Sequence, residues 1–175
     1  MRHILVTNAK GGCGKSTIAT SLAAYFASEG YATALADFDP QASALSWLEQ
    51  RPADCAPIKA VPGFESGLRT VPHNTEFVVI DSPAGSYGEE LRELVRRAET
   101  IIVPVLPSPI DIKAAERFID ELLNISKVAD KKAKAALVAN RVRENTLIFE
   151  ELDDVLSRLK VPYVAQFREA QNYNR

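Results

Sequence analysis

The run Lys10-Gly11-Gly12-Cys13-Gly14-Lys15-Ser16-Thr17 has the composition of a phosphate cradle. Glycines at 11, 12 and 14 let the backbone close around phosphate oxygens, Lys15 can reach the β- and γ-phosphates, and the Ser16 hydroxyl can coordinate Mg²⁺. The run lies between an apolar stretch and a segment of helical period, where backbone N–H groups and a helix dipole both face an anion. A glycine-rich turn without a ligand is the bland alternative, and this strand-to-helix setting argues against it. Where the usual phosphate-loop pattern begins with Gly, this chain has Ala9, so the match is to a relaxed form. Three acids accompany the loop. Asp37 and Asp39 close one apolar run and Asp81 closes the run Phe77-Val78-Val79-Ile80. The ends of strands in open α/β sheets are where ligands bind, and an acid after such a run holds Mg²⁺ directly or through water.

These residues need a sheet to carry them. Apolar runs alternate with helical segments, which predicts an α/β fold with a mostly parallel twisted sheet and helices on both faces. The expected strands are 3–9, 31–39, 75–81, 100–107, 134–142 and 161–167. Helices are expected at 15–29, with Gly30 as the stop, and at 41–50, 88–99, 110–128 and 145–160. Residues 51–67 read as loop with at most a short strand. No repeat or linker divides the 175 residues, so one domain spanning 1–175 is the simplest organisation.

Composition excludes several classes. With 21 Lys and Arg against 23 Asp and Glu, the chain cannot coat nucleic acid by net charge alone. Two cysteines are too few for a disulfide framework, which favours a reducing cytosol. No signal peptide or membrane span is apparent. The charge is uneven: residues 127–175 hold ten Lys and Arg against seven Asp and Glu, and the rest is acidic. Lys131, Lys132, Lys134, Arg141, Arg143 and Arg168 are the candidates there for contact with a polyanion. A merely solvated face is the competing explanation. His3 and His73 lack the spacing of metal ligands, and Trp47 reads as helix packing.

KGGCGKST, DFDPQAS and VVIDSPAG, in this order, resemble the deviant Walker A, Walker A′ and Walker B segments of the ParA/MinD family of positioning ATPases, and the resemblance covers nearly the whole chain. It implies a P-loop NTPase fold, ATP and Mg²⁺ as cofactors, and a nucleotide-sandwich homodimer in which Lys10 reaches the partner's phosphates. Gly11 to Thr17 would bind nucleotide, with Lys10, Lys15 and Asp39 catalytic; Asp39 would orient the attacking water. Ser16, Asp37 and Asp81 would hold the metal. Asn140, in ALVANRV, would lie beside adenine. The segment Asp81 to Gly85 would sense the γ-phosphate, with glycines at 85 and 88 permitting its motion. No helix-turn-helix precedes the first strand, so the resemblance is to the short class. That implies slow, partner-stimulated hydrolysis, non-specific DNA binding, a nucleoid-associated cytoplasmic location and a plasmid, chromosome or carboxysome cargo. The chain ends at FREAQNYNR, where similar sequences run on into a further helix. A membrane-bound MinD-like regulator is the alternative, although no basic amphipathic helix follows Val161. A metal-cluster carrier would need cysteines beyond Cys55.

Overall fold

The computed structural model describes residues 1–143 and 146–170. The apolar runs become seven strands: β1 (Arg2–Val6), β2 (Thr33–Asp37), β3 (Ile58–Pro62), β4 (Phe77–Asp81), β5 (Thr100–Val105), β6 (Lys134–Val142) and β7 (Tyr163–Arg168). They form one sheet in the order β3-β2-β4-β1-β5-β6-β7. Every pairing is parallel, so all strands end on the same edge. The helices are α1 (Lys15–Ser28), α2 (Ser43–Glu49), α3 (Gly63–Ser66), α4 (Gly88–Arg97), α5 (Pro109–Leu123), α6 (Ser126–Ala129) and α7 (Leu147–Arg158).

Strand residues alternate between two cores, as the two-residue period requires. Val6, Leu35, Val79 and Val138 face Ile18, Ala19 and Ala23 of α1 and Ala44 of α2. Leu5, Ala34, Ala36, Ile80 and Leu137 face the other way, onto Leu91 and Leu94 of α4, Phe118 and Ile119 of α5, and Leu152 and Leu156 of α7. Helices therefore cover both faces, as expected.

Several boundaries differ from the sequence expectation. The segment expected to be one helix over 110–128 is broken: α5 stops at Leu123 and α6 restarts at Ser126. Asn124 turns its side-chain amide back onto the Asp120 carbonyl at 2.8 Å, and the extended Ile125 buries its side chain in the core, so helical pairing is interrupted there. The stretch 51–67, expected to be loop with at most a short strand, holds such a strand, the edge strand β3, and adds the single turn α3, which its mixed polarity hid. Gly30 stops α1 as expected, in the left-handed region at φ 87°, with the Tyr31 N–H on the Phe26 carbonyl. The start of the helix expected over 145–160 lies partly outside the described residues.

Candidate functional site

The phosphate loop runs from the end of β1 to the start of α1 and is braced on three sides. Asn8 donates from Nδ2 to the Pro104 carbonyl at 2.7 Å and accepts the Lys10 N–H on Oδ1 at 3.1 Å. The Gly85 N–H donates to the Ala9 carbonyl at 3.0 Å, which ties the loop to the segment after Asp81. Asn140 donates to the Cys13 carbonyl at 2.9 Å. Gly12 and Gly14 take φ values of 75° and 92°, a region that side chains make costly, so the glycines are required for the shape. Cys13 is buried, and its thiol donates to the Lys10 carbonyl at 3.2 Å; burial raises its pKa, which disfavours the thiolate.

Helix α1 opens on Gly14 with no side-chain cap and no acid in its first turn. Its first N–H groups and its dipole are thus available to an anion. The start of α5 is different: there the Ser108 hydroxyl accepts the Asp111 N–H at 3.1 Å. Lys15 is buried, with Nζ donating to the Lys10 carbonyl at 3.2 Å, and phosphate oxygens would have to replace that acceptor. Lys10 itself is half-buried, and its ammonium makes no ion pair or hydrogen bond among the described residues.

The three acids do meet at this edge, but they are not equivalent. Asp37 and Asp81 lie side by side in register across β2 and β4. Both oxygens of Asp37 are already engaged: Oδ1 accepts the Asp39 N–H at 3.0 Å, and Oδ2 accepts those of Ala44 and Leu45 at 2.9 and 3.3 Å. Asp37 therefore shapes the Asp39 turn and caps α2, a role the sequence reading missed by placing it only beside the metal. Its pKa is raised by burial, against the pull of those N–H groups. Asp39 lies beyond the end of β2, half-buried, with Oδ1 accepting the Gln41 N–H at 2.9 Å.

Asp81 is buried, and neither carboxylate oxygen has a hydrogen-bond partner among the described residues. Burial pushes its pKa up to about 7; the Ser16 hydroxyl, near it but not in hydrogen-bonding geometry, and the charge of Lys15 pull it down, and the charges of Asp37 and Asp39 push it further up. An uncompensated buried carboxylate is what a divalent cation would satisfy. Among the described residues no three His, Cys, Asp or Glu side chains form a cage. The residues fit Mg²⁺, which typically takes one or two protein oxygens and completes its shell with phosphate and water.

This geometry has a pH consequence. Asp81 ionises near 3.8 when unfolded and near 7 when folded, so between these values the folded state holds the extra proton. Metal-free protein should lose stability as pH rises from about 4 to about 7, by roughly 4 kcal/mol from this group. Asp81→Asn should remove most of that slope and raise the metal-free melting temperature at pH 8, with Asp37 leaving a smaller residual of the same sign. Melting curves over pH 4–8 in EDTA that overlay for parent and variant would count against it.

The sequence reading treated the basic residues near the C-terminal end as one patch, and the fold corrects this. Lys134 opens β6, and Lys131 and Lys132 precede it, at the edge where strands begin. Arg141, Arg143 and Arg168 lie at the opposite edge, where the strands end. Seven residues along β6 separate Lys134 from Arg141, a distance of about 23 Å. Arg143 is also paired with Glu169, and Lys132 with Asp130.

A cavity of about 390 Å³ lies between α1 and β7, lined by Thr17, Leu22, Tyr25, Asn140 and Phe167 among others. Beyond the loop, Ser82 donates to Thr7 Oγ1 at 2.9 Å, and Glu121 of α5 accepts the Gly88 N–H at 2.8 Å, fixing both ends of the segment after Asp81. Asn8, Thr7 and Glu121 escaped the sequence reading because single polar residues at strand ends or on a helix carry no motif.

A parallel sheet with an uncapped first helix, a glycine loop and a partnerless buried acid at the strand ends defines a phosphate-loop nucleotide-binding domain. The chain belongs to the CobQ/CobB/MinD/ParA nucleotide binding domain family, whose pattern matches residues 4–175. It is 32% identical over 168 residues to Maintenance of carboxysome distribution protein A of Halothiobacillus neapolitanus, covering 91% of this chain and 75% of that one. The fold is similar to that of a putative plasmid partition protein from Borrelia burgdorferi bound to AMPPNP, at TM-score 0.79 and 18% identity, over 99% of this chain and 87% of that chain. It is also similar to a Cyanothece McdA variant in complex with ATP, at TM-score 0.76 and 14% identity, over 99% and 85% of the two chains. No helix among the described residues is long and apolar enough to cross a membrane.

Proposed function

We propose that this chain is an ATP-dependent positioning ATPase: it dimerises around ATP and Mg²⁺, binds DNA without sequence preference, and distributes a cargo of the plasmid, chromosome or carboxysome kind until a partner protein stimulates hydrolysis. The observation that carries this reading is Lys10, a cation at the rim of the phosphate loop with no acceptor of its own among the described residues. A phosphoryl group presented by a second copy supplies that acceptor. The likeness to a carboxysome distribution protein supports the cargo class.

In this reading the α1 N-terminus and Lys15 bind the phosphates, and Asp81 with the Ser16 hydroxyl would hold Mg²⁺, which neutralises charge on the β- and γ-oxygens. Asp39 orients the attacking water, and the Asp37 carboxylate holds the Asp39 turn in place. The cavity beside Asn140, Tyr25 and Phe167 seats the base. Light scattering tests the proposal: ATP with Mg²⁺ should double the mass, ADP should not, and an unchanged monomer with ATP would reject it.

The two basic groups make separate predictions for DNA. Lys131 and Lys134 make no ion pair among the described residues, whereas Arg143 is neutralised by Glu169. Reversal to Glu at Lys131 and Lys134 should weaken binding to random duplex DNA and lower the salt slope by about 0.9 per lost phosphate contact. Reversal at Arg143 should do less, because Glu169 already neutralises it. ATP-dependent dimerisation should be unchanged in both variants; an equal loss of DNA binding in the two would return the contact to a single continuous surface.

A further inference from the structure

Asn140 is 7% exposed and sits at the end of β6, across the sheet edge from the phosphate loop. Its Nδ2 donates to the Cys13 carbonyl at 2.9 Å. A Cβ built on Gly14 would lie 2.1 Å from that same nitrogen. The amide thus rests directly on the Cys13–Gly14 peptide, at the point where the loop passes into α1. Because the peptide is planar and trans, fixing the Cys13 carbonyl toward Asn140 turns the Gly14 N–H away from it. No other side chain of the described residues donates to this carbonyl.

We infer that Asn140 is a positioning residue of the phosphate loop, holding the Cys13–Gly14 peptide in the orientation that binds phosphate whether or not a base is present. The inference rests on the nucleotide-binding reading but assigns the residue a duty distinct from contact with adenine. One amide hydrogen is committed to the loop, so the side chain has a single orientation, with Oδ1 left as the acceptor on its other side. Guanine would offer a second acceptor, O6, to that oxygen, while adenine offers an amino group. Gly14 is then required twice, for its φ of 92° and for the space the amide fills.

The test uses Asn140→Ala and the near-isosteric Asn140→Asp, which keeps the shape and loses the donor. Hydrogen exchange of nucleotide-free protein should show the backbone of residues 10–16 exchanging about tenfold faster in both variants, with β1 and β4 unchanged. Affinities for ATP and for inorganic tripolyphosphate should fall by the same factor, about 5- to 10-fold. Unchanged loop exchange, or a loss confined to ATP, would overturn the inference. If the parent failed to bind ATP at all, the nucleotide reading would fall while the exchange result still decided the clamp. A double-mutant cycle guards against general loss of structure: Gly14→Ala should cost less in the Asn140→Ala background than in the parent, and simple additivity would again overturn the inference.

Discussion

Asp39→Ala should bind ATP with parental affinity, dimerise, and hydrolyse it about 10²–10⁴-fold more slowly, leaving a dimer that persists until nucleotide is diluted away. The side chain lies past β2 on a turn held by Asp37, so its removal spares the sheet and both cores. It is not among the groups placed on the phosphates. The turn itself uses Asp39 Oδ1 to accept the Gln41 N–H, which Asp39→Asn retains while losing the ability to take a proton from water. Matching defects in the two variants would assign the effect to chemistry. Parental turnover in either would remove Asp39 from the mechanism.

The two lysines should separate binding from assembly. Lys15→Ala is expected to weaken ATP by at least about 100-fold, because it removes a charge-assisted contact from a buried anion site. Lys10→Ala should retain ATP within about threefold yet fail to dimerise, because its ammonium makes no hydrogen bond or ion pair among the described residues and a second copy's phosphates would supply its acceptor. Nucleotide titration by fluorescence, paired with light scattering, reads both quantities on the same samples. If Lys10→Ala dimerised with ATP as the parent does, the crossing of the interface by Lys10 would be wrong.

Much of the site was legible because it is local. The glycines, Lys15 and Ser16 are consecutive, and a phosphate loop needs no distant residue to be recognised. The strands carrying Asp37 and Asp81 could be read from their continuous apolar runs, a consequence of burial on both faces. What the sequence could not reveal depends on register. Asp37 spends its oxygens on the start of α2, Asn8 reaches Pro104, and Asn140 reaches Cys13, all through contacts set only when the sheet closes. The basic residues failed for the same reason in reverse. Lys134 and Arg141 are near in sequence, but a strand is extended and carries them to opposite edges. The break between α5 and α6 turned on one amide, that of Asn124, which a helical pattern does not register.

The braces of the phosphate loop also set an order of events in folding. Strand β1 is made first, yet it pairs only with β4 and β5, so residues Arg2 to Val6 must wait for Phe77 and for Thr100 and beyond. The last brace, between Asn140 and Cys13, closes a span of 127 residues. Long-range parallel pairings of this kind are slow to form, because the entropy of closing the chain must be lost before the contacts reward it. The phosphate loop is therefore completed late, although its residues leave the ribosome early. Nucleotide can recognise only chains that have assembled their sheet from β4 through β6, and by binding them it draws the folding equilibrium toward completion.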